Sequence, residues 1–260
     1  MNQHEYYNQH HGSDMNYVDE YAVNAYVAKV FGWMFLGLVI TALTTGAIVY
    51  GISVSDAFAY FIYRAMGMFF IIFIGQLILV HVLSRRVYNM NPSTAKGLYV
   101  IYAMSNGLTV GMIVTIYAMY IVGIATVAMA FGITAVSFGI MAIYGYTTRA
   151  DLTRFSSLFS MALIGLIIAS IANWFLGNSM LDFLICVVGL FIFLGLVAVD
   201  THKIKHHFAQ VAVRGYNADG TVNEGQQALA SNLAIVGALM LYLDFINMLL
   251  FILRLLGRRR

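Results

Sequence analysis

From Gly97 to Thr148 the chain runs 52 residues without one charged side chain. A water-soluble domain carries about 25% charged residues, so a gap of this length has no place on an aqueous surface. About 20 apolar residues cross a bilayer as a helix, and this run holds two such helices with a turn near Met119–Gly123. Val30–Ser55, Ala65–Ser84 and Phe155–Leu181 are free of Asp, Glu, Lys and Arg in the same way, and Phe183–Val199 is a shorter run that spans with its flanks. A last segment, about Ala228–Leu256, is interrupted by Asp244 and Arg254. Seven hydrophobic segments predict an all-α polytopic membrane protein embedded in a lipid bilayer. The composition agrees: 61% of the residues are hydrophobic, 10% are charged and only one is proline.

Two stretches read as soluble. Residues 1–25 are polar, carry Glu5, Asp14, Asp19 and Glu20 but no Lys or Arg, and are expected to form a disordered tail. Without a basic leader this tail is not a secretory signal, so the first span is expected to remain as an uncleaved anchor. The second stretch, about 201–227, contains the turn-like YNADGT and is expected as a loop within a membrane domain covering 26–257. Residues 258–260 form a basic end.

Basic residues concentrate on the cytoplasmic side of membrane proteins. With the N-terminus inside, the inner connections hold Arg85, Arg86, Lys96, Arg149, Arg154, Lys203, Lys205 and Arg214. The outer connections near Ser55, Tyr120 and Asn178 hold none, apart from Arg64. Arg254 and Arg258–Arg260 break the pattern: either the last segment crosses and places them outside, or it dips in and returns.

Inside this apolar frame two carboxylates stand out. Asp244 sits within LMLYLDFINMLLFILRLLG, where an ionised group costs about 3 kcal/mol to insert. Such a residue is kept when it faces a protein interior or a watery path, or when it is held protonated. Asp200 ends the sixth segment in GLVAVDTHKIKHH, where the alternative is a solvated acid at the membrane boundary. If the two meet, they cannot both ionise cheaply and would share a proton. They would also attract a cation. Calcium takes about six to eight oxygen ligands, so two aspartates and water would make a transit site, not a storage site. Arg85 or Arg86 is the natural counter-charge, able to latch the acid pair.

Asn247 lies one helical turn from Asp244 and shares its face. Gln76, Asn106, Asn173, Asn232 and His81 are the other polar residues within spans, and such residues serve as interhelical glue. Gly107-xxx-Gly111 has the spacing of close helix packing. His202 and His206 have an i, i+4 metal spacing but no evident third ligand, which assigns them to a solvated loop face. Cys186, the only cysteine, lies in an apolar run and reads as packing. No nucleophile elbow, zinc-protease helix, P-loop or dinucleotide glycine motif is present, and no basic aromatic patch suits nucleic acid. The chain does not read as an enzyme, and no resident cofactor is expected.

LYLDFINMLLFILRLLG, preceded by AVDTHKIKH, resembles the C-terminal region of the Bax inhibitor-1 family, the transmembrane Bax inhibitor motif proteins. SNGLTVGMI (Ser105–Ile113), after a short loop following the Arg85–Arg86 pair, fits the same pattern, and the likeness extends over about Tyr26–Gly257. The resemblance implies six helices wrapped around a central seventh. It further implies a pH-sensitive calcium leak gated by an aspartate pair, here Asp200 and Asp244, with a latch arginine falling on Arg85 or Arg86. Calcium would be the permeant ion. Some bacterial relatives carry an acid deeper in the second span; here FIGQLILV offers the neutral Gln76 instead. Many bacterial members restrain a membrane-bound protease, which makes a non-conducting regulator the alternative reading. The expected location is a bacterial plasma membrane.

Overall fold

The computed structural model describes residues 3–209 and 224–258, with side chains described from Glu20 onward except at 63, 65, 66, 120 and 224. Eight α-helices account for nearly all of it: α1 (Gln3–Val54), α2 (Asp56–Ala65), α3 (Phe69–Arg85), α4 (Pro92–Ile116), α5 (Ile124–Thr147), α6 (Ser156–Leu176), α7 (Ser179–Lys203) and α8 (Glu224–Gly257). There is no strand among the described residues.

Local chemistry sets the boundaries. The only proline, Pro92, opens α4 where its missing N–H costs nothing, and the Asn91 side chain accepts from Ser93 N at 3.0 Å. Asn178 caps α7 by accepting from Met180 N and Leu181 N. The two tight reversals use glycine at positive φ, Gly123 at 81° and Gly177 at 61°. The first of these ends the turn between α4 and α5, in the place where the long charge-free run was expected to reverse.

Among the described residues, six helices are long and apolar enough to cross a membrane. The shorter apolar helix α3 has 17 residues, about 26 Å at 1.5 Å per residue, slightly less than the roughly 30 Å of a hydrocarbon core. The expected seven-span count therefore holds by length for six helices. Preceding α3 is the amphipathic α2, with Arg64 exposed.

Helix α8 packs against α1, α3, α4, α5 and α7, and 67% of its apolar window is buried, against 6% for α6, which leans on α7 with its other faces outward. It is also unbroken over 34 residues. A segment that dips in and returns needs a turn, and α8 has none over those 34 residues. Near its C-terminal end Arg254 and Arg258 both donate to Asp182 at the start of α7, so one carboxylate offsets part of the positive charge there.

Helices α1 and α4 approach closely through the small residues singled out in the sequence. A Cβ on Gly107 would lie 2.6 Å from Thr44 Cβ, and one on Gly111 would lie 3.1 Å from Ile48 Cδ1. Thr45 Oγ1 uses the proximity to donate to Gly107 O at 3.1 Å.

Over the stretch 1–25 expected as a disordered tail, the described residues place the start of α1 at Gln3, continuous with the first span. A helix anchored by an apolar span is already nucleated, and extending it adds one hydrogen bond per residue fixed. Within the stretch 201–227 expected as a loop, the described residues at both ends are helical. Thr201 to Lys203 belong to α7, a wider π-type turn follows over Ile204–Phe208, and α8 starts at Glu224. YNADGT and Arg214 lie outside the described residues.

Candidate functional site

Helices α7 and α8 run antiparallel in a register fixed by side-chain contacts. A Cβ on Gly189 would meet the Phe251 ring at 2.6 Å, and one on Gly237 would meet Ile204 Cγ1 at 3.2 Å. Gly237, Asp244 and Phe251 are seven residues apart, which puts them on one stripe of α8. Asp244 therefore faces α7. The same register sets Asp200 opposite Met240, so the two carboxylates are offset by about one turn, roughly 6 Å along the axis. The pair that the sequence could only suppose is brought together: each is buried (Asp200 7% and Asp244 4% exposed), and they lie within electrostatic reach of each other.

The two acids are not equivalent. Asp200 Oδ1 accepts from Lys203 Nζ at 2.9 Å, an i, i+3 pair on the last turn of α7. Asp244 Oδ2 is buried with no hydrogen-bond partner among the described residues. Lys203 lies close enough to exert its charge on both. Sequence reasoning passed over Lys203 as a counter-charge, although the D-x-x-K spacing was there to be read.

The two arginines expected as latch are placed elsewhere. Arg85 and Arg86, at the end of α3, are exposed and make no ion pair among the described residues. The turn that follows them is tied to α8, where Asn232 Nδ2 donates to Val87 O at 2.9 Å and to Met90 O at 2.7 Å.

The expected supporting residues divide. Asn247 Nδ2 donates to Leu243 O of its own helix at 2.8 Å, so that amide group is spent on the backbone. Gln76 and Asn106 join one buried network that reaches neither aspartate. Gln76 Nε2 donates to Thr109 Oγ1 (3.2 Å), and Thr109 donates to Asn106 O (3.0 Å). Asn106 Nδ2 donates to the Tyr242 hydroxyl (2.8 Å), which lies 2.6 Å from Thr41 Oγ1. The network links α3, α4, α8 and α1 through apolar surroundings. Tyr242 is two residues from Asp244, about 200° around the helix, which is why the two look into different interfaces. Neither Tyr242 nor Thr41 was picked out in the sequence, because a hydroxyl in an apolar run carries no signal until its partner is known.

The remaining polar residues have mostly structural roles. Asn173 Oδ1 accepts from Asn178 N at 3.1 Å, and His81 is exposed on α3. His202 overturns its assignment to a solvated face: it is buried, its ring stacks 4.2 Å from that of His206, and its Nε2 lies 3.9 Å from Asp151 Oδ1. The cause is that α7 continues past Asp200, carrying His202 into the interior. Asp151 itself is in the exposed α5–α6 connection, where hydrogen bonds from the Thr153 hydroxyl and N–H hold its carboxyl below the usual range. No cluster of three His, Cys, Asp or Glu able to hold a metal ion occurs among the described residues.

The comparisons with known proteins agree in one direction. The family model described as inhibitor of apoptosis-promoting Bax1 matches residues 23–260. The inner membrane protein YbhL of Escherichia coli K12 is 35% identical over 241 residues, covering 92% of this chain and 93% of that protein. A protein of Borreliella burgdorferi is 35% identical over 237 residues (91% and 93% of the two chains). One of Rickettsia prowazekii is 35% identical over 241 residues (90% of each).

Proposed function

Since the chain belongs to the Bax inhibitor-1 family of integral membrane proteins, we propose that it forms a pH-sensitive calcium leak in which Asp200 and Asp244 share a proton and act as gate. The observation that carries this reading is a pair of buried carboxylates across the α7–α8 interface, one of them with an oxygen left without a partner. A buried acid with unused hydrogen-bonding capacity is costly as a structural element, and intramembrane acids mark ion or proton paths.

In the proposed mechanism Lys203 is the latch of the closed state. With the pair carrying negative charge, the Lys203 ammonium is held on Asp200 and blocks cation entry. Protonation weakens that hold, Lys203 withdraws, and the path opens; acid therefore raises flux until the pair is saturated with protons. A calcium ion passing the gate would meet two carboxylates and otherwise water, a ligand set too sparse for tight retention. Arg85 and Arg86 would serve as a second latch only if α3 moved toward the pair. The proposal includes α3 as a seventh crossing around α8, an N-terminus on the cytoplasmic side as the basic connections favour, and a bacterial inner membrane as for the Escherichia coli relative.

Calcium entry into liposomes containing the purified protein, from pH 6 to 8, tests this. Flux that rises toward pH 6, and that Asp244→Asn makes independent of pH, supports the gate. Flux no greater than in empty liposomes at every pH rejects conduction and leaves the non-conducting regulator of a membrane-bound protease as the reading to pursue.

A further inference from the structure

Helices α1 and α5 run antiparallel and each packs on α8, yet they scarcely pack on one another. The seam between them holds two cavities in series. One, of about 510 Å³, is lined by Ala28, Phe31, Phe138, Gly139, Ala142 and Tyr146. The other, of about 480 Å³, lies further along, between Leu38, Gly46 and Val49 of α1 and Val127 and Phe131 of α5. Phe131 and Phe138 both stack edge-on against Phe245 of α8, at 5.4 and 5.6 Å, which gives the seam its floor. Both volumes fall in the range of ligand pockets, about 300–1,000 Å³.

The first cavity has one polar end. The Tyr146 hydroxyl donates to Asn24 Oδ1 across the mouth. Lys205 Nζ donates to Tyr146 O at 2.9 Å and sits 4.2 Å from the centre of its ring. An ammonium carries three donors, and Lys205 has no carboxylate partner among the described residues, so it can offer donors to an anion at this mouth. An apolar trough within the spanning segments, with the Lys205 ammonium against the Tyr146 that lines one end, matches an amphiphile with an anionic head and a hydrocarbon tail.

We propose that the Tyr146 end of the α1–α5 seam binds an anionic membrane phospholipid, its phosphate on Lys205 and one acyl chain lying between Phe31 and Phe138 over Gly139. Lys205 supplies the preference for an anionic lipid, since a zwitterionic headgroup brings its own cation to the same place. The trough supplies affinity through apolar burial and is indifferent to the headgroup.

Gly139 makes the idea testable, because a Cβ there meets nothing within 4 Å and a larger side chain grows into the cavity without displacing protein. Gly165 on the outward-facing α6 is equally open and controls for an added aromatic ring. The full chain, purified in detergent, would be titrated with phosphatidylglycerol and with phosphatidylcholine of the same acyl chains, retention being read by native mass spectrometry. Circular dichroism would confirm that each variant is folded. The expected result is at least a ten-fold preference for phosphatidylglycerol, which Lys205→Gln removes. Gly139→Phe should weaken retention of both lipids about ten-fold, and Gly165→Phe should change neither. Equal retention of the two lipids by the unsubstituted chain, or undiminished phosphatidylglycerol on folded Gly139→Phe, would overturn the proposal. A dimer that Gly139→Phe converts to monomer would overturn it too, identifying the occupant as a second copy of the chain.

Discussion

Lys203 Nζ lies 2.9 Å from Asp200 Oδ1, on the same helix and one turn beyond it, while Asp244 faces that pair from α8 with one oxygen unpartnered. The arrangement is asymmetric: one acid is neutralised locally and the other is not. A gate built this way responds to proton binding at the unpaired acid and to loss of the lysine at the paired one, and the two effects separate experimentally.

Asp244→Asn keeps the shape of the side chain and removes its charge. Calcium flux in the variant is expected to lose its pH dependence between pH 6 and 8, as measured in the liposome assay. A variant that retained the full pH response would show that the proton binds elsewhere.

Lys203→Gln removes the proposed latch and leaves Asp200 buried without its cation. Flux at pH 8 is expected to rise several-fold toward the value seen at pH 6. Arg85→Gln and Arg86→Gln, by contrast, alter exposed residues and are expected to shift flux less than two-fold. If an arginine variant opens the path and Lys203→Gln does not, the latch belongs to α3.

Tyr242→Phe deletes the hydroxyl that joins Asn106 of α4 to Thr41 of α1. Hydrogen bonds between membrane helices contribute about 0.6 kcal/mol on average and up to roughly 1.7. A loss of about 1–2 kcal/mol in reversible unfolding is expected for the two bonds together, with the pH dependence of flux preserved because Tyr242 and Asp244 face different interfaces.

Gly107→Val places two methyl groups where Thr44 Cβ already lies 2.6 Å from an added Cβ. Overpacking of this kind costs about 1–3 kcal/mol, so the unfolding midpoint should fall markedly. The same change at Gly165 should be nearly silent, since that position opens onto the bilayer.

Asp182→Asn strips Arg254 and Arg258 of their carboxylate partner. Half-exposed ion pairs are worth at most about 1 kcal/mol, so global stability should change little. Amide hydrogen exchange in the last two turns of α8 should nonetheless accelerate, since those arginines tie its end to α7.

The spans could be read from residue type alone because the bilayer imposes a single rule: charges are excluded over about 20 residues at a time. Gly97–Thr148 shows this directly, for its length required two helices and a turn, and Gly123 makes that turn. Asp244 could be singled out for the same reason, since a carboxylate in such a run is conspicuous before anything is known of its surroundings. His202 shows the opposite case. It looked solvated because polar residues surround it in sequence, yet α7 runs on and buries it.

What the sequence determined by itself was therefore the class of protein, the positions of its helices and the two acids worth asking about. Helix packing decided the rest. Whether Asp200 meets Asp244 depends on the register of α7 against α8, set by Phe251 at Gly189 and Ile204 at Gly237. Whether Lys203 or an arginine answers them depends on where α3 ends relative to that interface, and whether Gln76 and Asn106 reach the acids depends on which way Tyr242 turns. These are contacts between residues far apart in the chain, governed by shape and close approach, and no local pattern of charge or hydropathy encodes them.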